Sequence, residues 1–224
     1  MNEVLEPIIT APNFPELLNE INEIWEEEQQ KRRAFYKDVT PSVKWEFING
    51  EIVVHSPARN RHLNAVGNLY RVLSSYVIKN KLGKVYQEKA LISSTRNDYE
   101  PDIVFFPIEI AQHFEEDQWK FPIPDFIVEV LSDSTEDNDR NQKFQDYALH
   151  GVKEYWIIDT TAESVEQYGL TDEKAYQLRS KKTIEDHISS LVLPDFKIPI
   201  LAIFDETSNL ETLTAMMENK LEVD

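Results

Sequence analysis

Residues 124–132 read PDFIVEVLS. Phe126, Ile127, Val128, Val130 and Leu131 are apolar, and Glu129 stands among them. A nearly continuous apolar run of this length predicts a strand buried on both faces. A carboxylate inside such a strand costs several kcal/mol unless it is paired, protonated or bound to a metal. What compensates Glu129 is the question from which both fold and function are read.

Working outward, PDIVFF (101–106) and KEYWIID (153–159) have the same buried-strand character, and KVYQEKALIS (84–93) reads as a further strand. STEDNDRNQKFQDYALHG (134–151) reads as a helix, with Ser, Thr and Asp as capping choices and Gly151 as its stop. Upstream, residues 60–81 predict a helix with the stripe Leu63, Val66, Tyr70, Leu73 and Val77, closed by Gly83. In KWEFINGEIVVHSP (44–57), Asn49-Gly50 between two apolar segments signals a hairpin, and Pro57 ends its second strand. Residues 15–35 predict an amphipathic helix with Leu17, Ile21, Ile24 and Trp25 on its apolar side. SVEQYGL (164–170), AYQLRS (175–180) and ISSLVLP (188–194) read as antiparallel strands. Residues 207–222 read as a terminal helix carrying Leu210, Leu213, Met217 and Leu221 on one side. From residue 60 to 159 the order is helix, strand, strand, strand, helix, strand, which predicts a mixed α/β (α+β) core with its sheet flanked by helices. One domain over 40–206 is expected, with a helical extension at 1–39 and a C-terminal helix at 207–224.

The 224 residues, 41% hydrophobic, are enough for one sizeable core. No apolar run approaches the length of a membrane span. MNEVLEPIITAPNFPELL (1–18) has no positive region followed by an apolar one, so no secretory signal is expected. There are no cysteines, which fits a cytoplasmic protein and excludes thiolate metal sites. A net charge of -18 argues against tight nonspecific nucleic-acid binding. The charge is uneven, however: Arg59, Arg61, Arg71, Lys79, Lys81, Lys84, Lys89 and Arg96 face Glu88 alone between residues 59 and 96. That segment suits either one phosphate-facing surface or a solvated helix face. With only 5 glycines and no phosphate-cradling loop, a nucleotide-cofactor fold is not expected.

Three charged residues stand out by context. Asp102 opens one buried strand, Glu129 lies inside the next, and Lys143 follows on the helix at the edge of its buried face. Neighbouring strands bring the two acids together, and the helix returns across the sheet to present the lysine. Two carboxylates at one point suit Mg²⁺ or Mn²⁺, which take oxygen ligands and keep several waters. The ammonium would stabilise charge on a reacting phosphate. The same three residues also suit a buried ion pair without catalysis. Glu46, Glu88, His62 and Tyr147 are further candidates. Each also has a plain reading, respectively as a strand carboxylate, a lone acid in a basic segment, a helix-cap residue and a core aromatic.

Together, PDIVFF, PDFIVEVLSDST, DNDRNQKFQDYALHGVKEYWIID, LPDFKIPILAIFD and KWEFINGEIVVHSP followed by RHLNAVGNLYRVL resemble the Uma-two family over residues 40–205. The resemblance implies a restriction-endonuclease-like fold of the PD-(D/E)XK nuclease superfamily, which cleaves phosphodiester bonds with Mg²⁺. It implies that Asp102 is the acid of the PD motif and Glu129 that of the second half-motif. The usual lysine would then fall at Leu131, so the resemblance moves it to Lys143 on the following helix. On this reading the metal is held by Asp102, Glu129 and the main-chain carbonyl of Val130. The target is nucleic acid, most readily DNA, approached through Arg59, Arg61, Lys81, Lys84 and Lys89. A homodimer would suit cutting of both strands. The competing expectation is a non-catalytic module that binds nucleic acid or protein on the same fold. Metal binding separates the two.

Overall fold

The computed structural model describes residues 4–40, 43–132 and 135–218. The chain begins with helices α1 (Glu6–Ile9) and α2 (Phe14–Asp38), the hairpin β1 (Trp45–Ile48) and β2 (Glu51–Val54), and helix α3 (Asn60–Asn80). Next come β3 (Gly83–Gln87), β4 (Leu91–Ser93), β5 (Asp98–Tyr99), β6 (Ile103–Pro107), α4 (Ile108–Ala111) and β7 (Lys120–Phe121). Strand β8 (Phe126–Val130) leads through α5 (Glu136–Arg140) and α6 (Gln142–His150) to β9 (Glu154–Asp159). The chain continues with β10 (Ser164–Leu170), β11 (Tyr176–Thr183), β12 (His187–Ser189), β13 (Lys197–Pro199), α7 (Leu201–Phe204) and α8 (Glu206–Met217).

All five residues of β8 are buried. The strand lies between β6, antiparallel, and β9, parallel, in a six-stranded sheet of order β11-β10-β9-β8-β6-β3. Alternation along the strands assigns the two faces. Phe126, Val128 and Val130 join Ile103, Phe105, Trp156 and Ile158 beneath the apolar side of α3. Ile127 turns the other way, with Val104, Phe106, Tyr155 and Ile157, toward Tyr147 of α6. Ile48, Ile92 and Tyr99 close this second layer from a smaller sheet of order β2-β1-β5-β4-β7. Glu129 shares the face of Ile127, so its side chain enters the space between the main sheet, α6 and the small sheet. The fold is therefore a mixed α+β core. Among the described residues no helix is long and apolar enough to cross a membrane.

The hairpin forms where Asn49-Gly50 indicates it: both residues have positive φ, at 50° and 84°, and Ile48 pairs with Glu51. Several details differ from expectation. Helix α3 ends on Lys81 in the left-handed region, not on Gly83. Gly83 is needed for close approach instead, since a Cβ there would meet the Phe106 carbonyl oxygen at 2.0 Å. Leu63 of the expected α3 stripe is exposed. The run 84–93 is two strands, broken at Glu88, whose φ is 59° and whose N–H donates to the Asp102 carbonyl at 3.0 Å. The helix expected from 134 divides at Asn141 into α5 and α6; Asp133 and Ser134 lie outside the described residues.

On α2, Ile21, Ile24 and Trp25 are exposed, while Glu28, Arg32 and Phe35 are buried. The reason is Arg32: its Nε and Nη2 donate to the Asp98 carboxylate at 2.7 and 2.9 Å, and Nη1 donates to the Thr95 carbonyl at 3.0 Å. ISSLVLP is strand only at Ile188 and Ser189 and then bends away, because the backbone N–H groups of Leu191 and Val192 donate to the buried carboxylate of Glu154. On α8 the buried side carries Asn209, Thr212 and Met216, leaving Leu210 and Met217 exposed; Leu221 lies outside the described residues.

Candidate active site

The register of β6 against β8 pairs Ile103 with Val128. One step further places Asp102 opposite Glu129, at the end of β8. Asp102 is tied there directly: its Oδ2 accepts the Val130 N–H at 2.8 Å. The next N–H, of Leu131, goes to Ile158 on the other side of the strand. Since the N–H and C=O of a strand residue point the same way, the Val130 carbonyl lies on the Asp102 side.

Helix α6 delivers Lys143 and Tyr147 to the same point. Lys143 is 1% exposed, and its Nζ lies 3.0 Å from Glu46, 3.1 Å from Glu129 and 3.2 Å from Asp139. The Tyr147 hydroxyl donates to Glu129 Oε1 at 2.9 Å. From the small sheet, Glu46 is wholly buried, and its Oε2 sits 2.9 Å from His55 Nε2. Asp102 Oδ1 takes Lys44 at 2.7 Å and faces His62 Nε2 at 3.5 Å.

Four buried carboxylates thus share two ammonium groups, and their titration diverges. Burial would raise Asp102, but Lys44 and His62 outweigh it and hold that carboxyl well below the carboxylate range. Burial is likewise overcome at Glu46, where Lys143 and His55 pull it down to about 2. At Glu129 burial wins: Lys143 opposes it, Asp139 and Asp102 reinforce it, and the group is pushed up to about 8. Burial also raises Asp139. Against burial, Glu129, Glu46 and Asp139 together raise Lys143, so it stays charged. Two facing acids driven to opposite sides of neutrality are the arrangement found where one site both carries charge and exchanges protons.

Of these groups, Lys44, His55, His62, Asp102, Glu129 and Lys143 line the floor of a cavity of about 610 Å³. Arg59, Arg61, Lys89 and Glu88 line it as well. Lys89 lies 3.4 Å from Glu100, and Glu88 sits at the break between β3 and β4. The remaining basic residues of 59–96 do not share this surface. Lys81 caps the far end of α3, ~30 Å from Arg59 at 1.5 Å per residue. Lys84 pairs with Phe106, ~13 Å along β6 from Asp102. Arg71, Lys79 and Arg96 bond to Asn209, Met216 and Glu28.

The sequence reading missed Lys44, His55 and Asp139. Lys44 is two residues before Glu46 and therefore on its face, His55 is opposite Lys44 when counted from the Asn49-Gly50 turn, and Asp139 is one helical turn before Lys143. Each spacing was available as a signal.

Among the described residues no three His, Cys, Asp or Glu side chains converge as a metal cage. Asp102, Glu129 and the Val130 carbonyl are an oxygen-only set with carboxylates in excess of lysines. They fit a hard cation that fills its other positions with water or phosphate oxygens, as Mg²⁺ does.

The Uma2 family model, described as "Putative restriction endonuclease", matches residues 25–202. An uncharacterized protein from Synechocystis sp. is 29% identical over 137 residues, spanning 60% of this chain and 77% of the relative. The crystal structure of a putative nuclease belonging to DUF820, from Anabaena variabilis, matches with a TM-score of 0.65 at 18% identity. It covers 78% of this chain and 96% of the other, a likeness of fold.

Proposed function

The chain belongs to the Uma2 family, and from that premise we propose that it is an endonuclease that hydrolyses phosphodiester bonds, most readily in DNA, with Mg²⁺ or Mn²⁺. The observation that carries this reading is the placement of Asp102 opposite Glu129 on adjoining strands, at the floor of a cavity lined by Arg59, Arg61 and Lys89. Asp102, Glu129 and the Val130 carbonyl would hold the cation, which supplies Lewis-acid activation of water and of the phosphate when bound.

The protein's own groups prepare that point. Lys143 and Tyr147 fix the Glu129 carboxylate, and the Val130 N–H, Lys44 and His62 fix that of Asp102. Glu46 and Asp139 hold Lys143 in turn, and His55 lies 2.9 Å from Glu46. Arg59, Arg61 and Lys89 bring positive charge to the cavity wall of an acidic protein, where a phosphate backbone would track. A two-fold pair of chains would serve cutting of both strands of a duplex.

A second reading has its own support. Lys143 compensates Glu46, Glu129 and Asp139 without any cation, as a non-catalytic binding module would require. The discriminating experiment is incubation of single-stranded DNA, duplex DNA and RNA with the protein in Mg²⁺, in Mn²⁺ and in EDTA. Internal cleavage that EDTA stops and Asp102→Ala abolishes supports the enzyme. Binding without cleavage under every metal condition supports the module.

A further inference from the structure

We infer that Lys44, not Lys143, is the lysine whose ammonium contacts the phosphate of a bound nucleic acid, and that Lys143 is a positioning residue. This rests on the nuclease reading for its chemistry but not for its geometry. An ammonium has three N–H donors and no acceptor. Lys143 has a carboxylate for each of them, at 3.0, 3.1 and 3.2 Å, and its side chain is 1% exposed. It touches the cavity only at its floor, and it has no donor left for a phosphate.

Lys44 differs on both counts. Its side chain is 21% exposed and lines the cavity. Among the described residues one carboxylate engages it, Asp102 Oδ1 at 2.7 Å, which leaves donor capacity that Lys143 lacks. Its backbone is fixed, since its carbonyl accepts the His55 N–H at 3.1 Å across the hairpin. The ammonium is thus held in place beside a carboxylate assigned to the cation, on the cavity side, in line with Arg59, Arg61 and Lys89. Lys143 braces the acids from behind, between α6 and the small sheet.

The test compares wild type with Lys44→Met, Lys44→Arg and Lys143→Met. Binding of a short fluorescein-labelled DNA duplex is followed by anisotropy in Ca²⁺ over a salt series, cleavage is measured in Mg²⁺, and folding is checked by circular dichroism. Lys44→Met should weaken binding ~10-fold or more, as loss of a charged hydrogen bond does, and should lower the salt slope by ~1. Cleavage should fall ~10²–10³-fold. Lys44→Arg should recover most of the affinity. Lys143→Met should melt earlier and, at temperatures where it is folded, keep the wild-type salt slope, because its ammonium meets no phosphate. Wild-type affinity and salt slope in Lys44→Met would overturn the inference, as would an equal loss of salt slope in folded Lys143→Met. Binding without cleavage by wild type would overturn the nuclease reading alone, with Lys44 still decided by the affinities. No binding by wild type would overturn both.

Discussion

Replacing Lys143 with Met removes the charge on which the buried acids depend, and the size of the loss follows from who is left behind. Glu46, Glu129 and Asp139 are each at most 3% exposed at the side chain, and all three lie within 3.2 Å of the missing ammonium. Glu129 already titrates near 8 and meets the loss by keeping its proton. Glu46 cannot do so cheaply: burial would raise it, and Lys143, ahead of His55 and Lys44, holds it down to about 2. Leaving such a buried carboxylate without its partner costs ~3–5 kcal/mol. At ~2–4 °C per kcal/mol for a chain of this size, the melting temperature should drop by ~6–20 °C. The deficit should be larger at pH 8 than at pH 6. Without Lys143 the folded protein binds more protons than the wild type does, so its stability falls faster as pH rises. Mg²⁺ should raise the melting temperature of the variant more than that of wild type, since a competing positive charge has gone. The assay is thermal melting by far-UV circular dichroism at pH 6 and pH 8, with EDTA and with Mg²⁺. A drop below ~2 °C at pH 8, or a deficit that does not shrink at pH 6, would show that Lys143 does not compensate these acids.

Other consequences are equally direct. In EDTA the folded value of Glu129 lies above its unfolded one, so its stabilising contribution is present near pH 4.5 and is lost as pH rises through about 8; urea midpoints should show a slope that Glu129→Gln removes. Arg61→Glu should lower the salt slope of duplex binding by ~1 or more, whereas Lys81→Glu, at the far end of α3, should leave it unchanged; equal effects would return Lys81 to the binding surface. Arg32→Met should cost ~3–5 kcal/mol in chemical denaturation, because Asp98 is wholly buried against that guanidinium; a loss under ~1 kcal/mol would mean that α2 is held by Phe35 and its apolar contacts instead.

The parts of this architecture that were legible in the sequence are those whose signal is local. Apolar continuity marks Phe126–Val130 as an inner strand, and Asn49-Gly50 turns a hairpin because both residues tolerate positive φ. Asp102 and Glu129 stand out as charges among apolar neighbours, and Lys143 as a charge beside Phe144 at the edge of a buried helix face. What escaped depends on partners distant in the chain. The exposed Ile21, Ile24 and Trp25 read as a core face because Arg32 has no visible claim on burial until Asp98, 66 residues later, arrives beside it. ISSLVLP reads as a strand because nothing local announces that Glu154 will take its N–H groups. The three carboxylates around Lys143, and the contact of Lys44 with Asp102, come from elements that no local signal places together.

The proposed chemistry depends on Asp102 and Glu129 forming one divalent-cation site. Isothermal titration with Mn²⁺ at pH 7.5 measures this directly in wild type, Asp102→Ala, Glu129→Ala and the double variant, each checked for folding. The predicted result is one ion per wild-type chain, absent in each single variant. Mn²⁺ bound as well by the folded double variant as by wild type would contradict it.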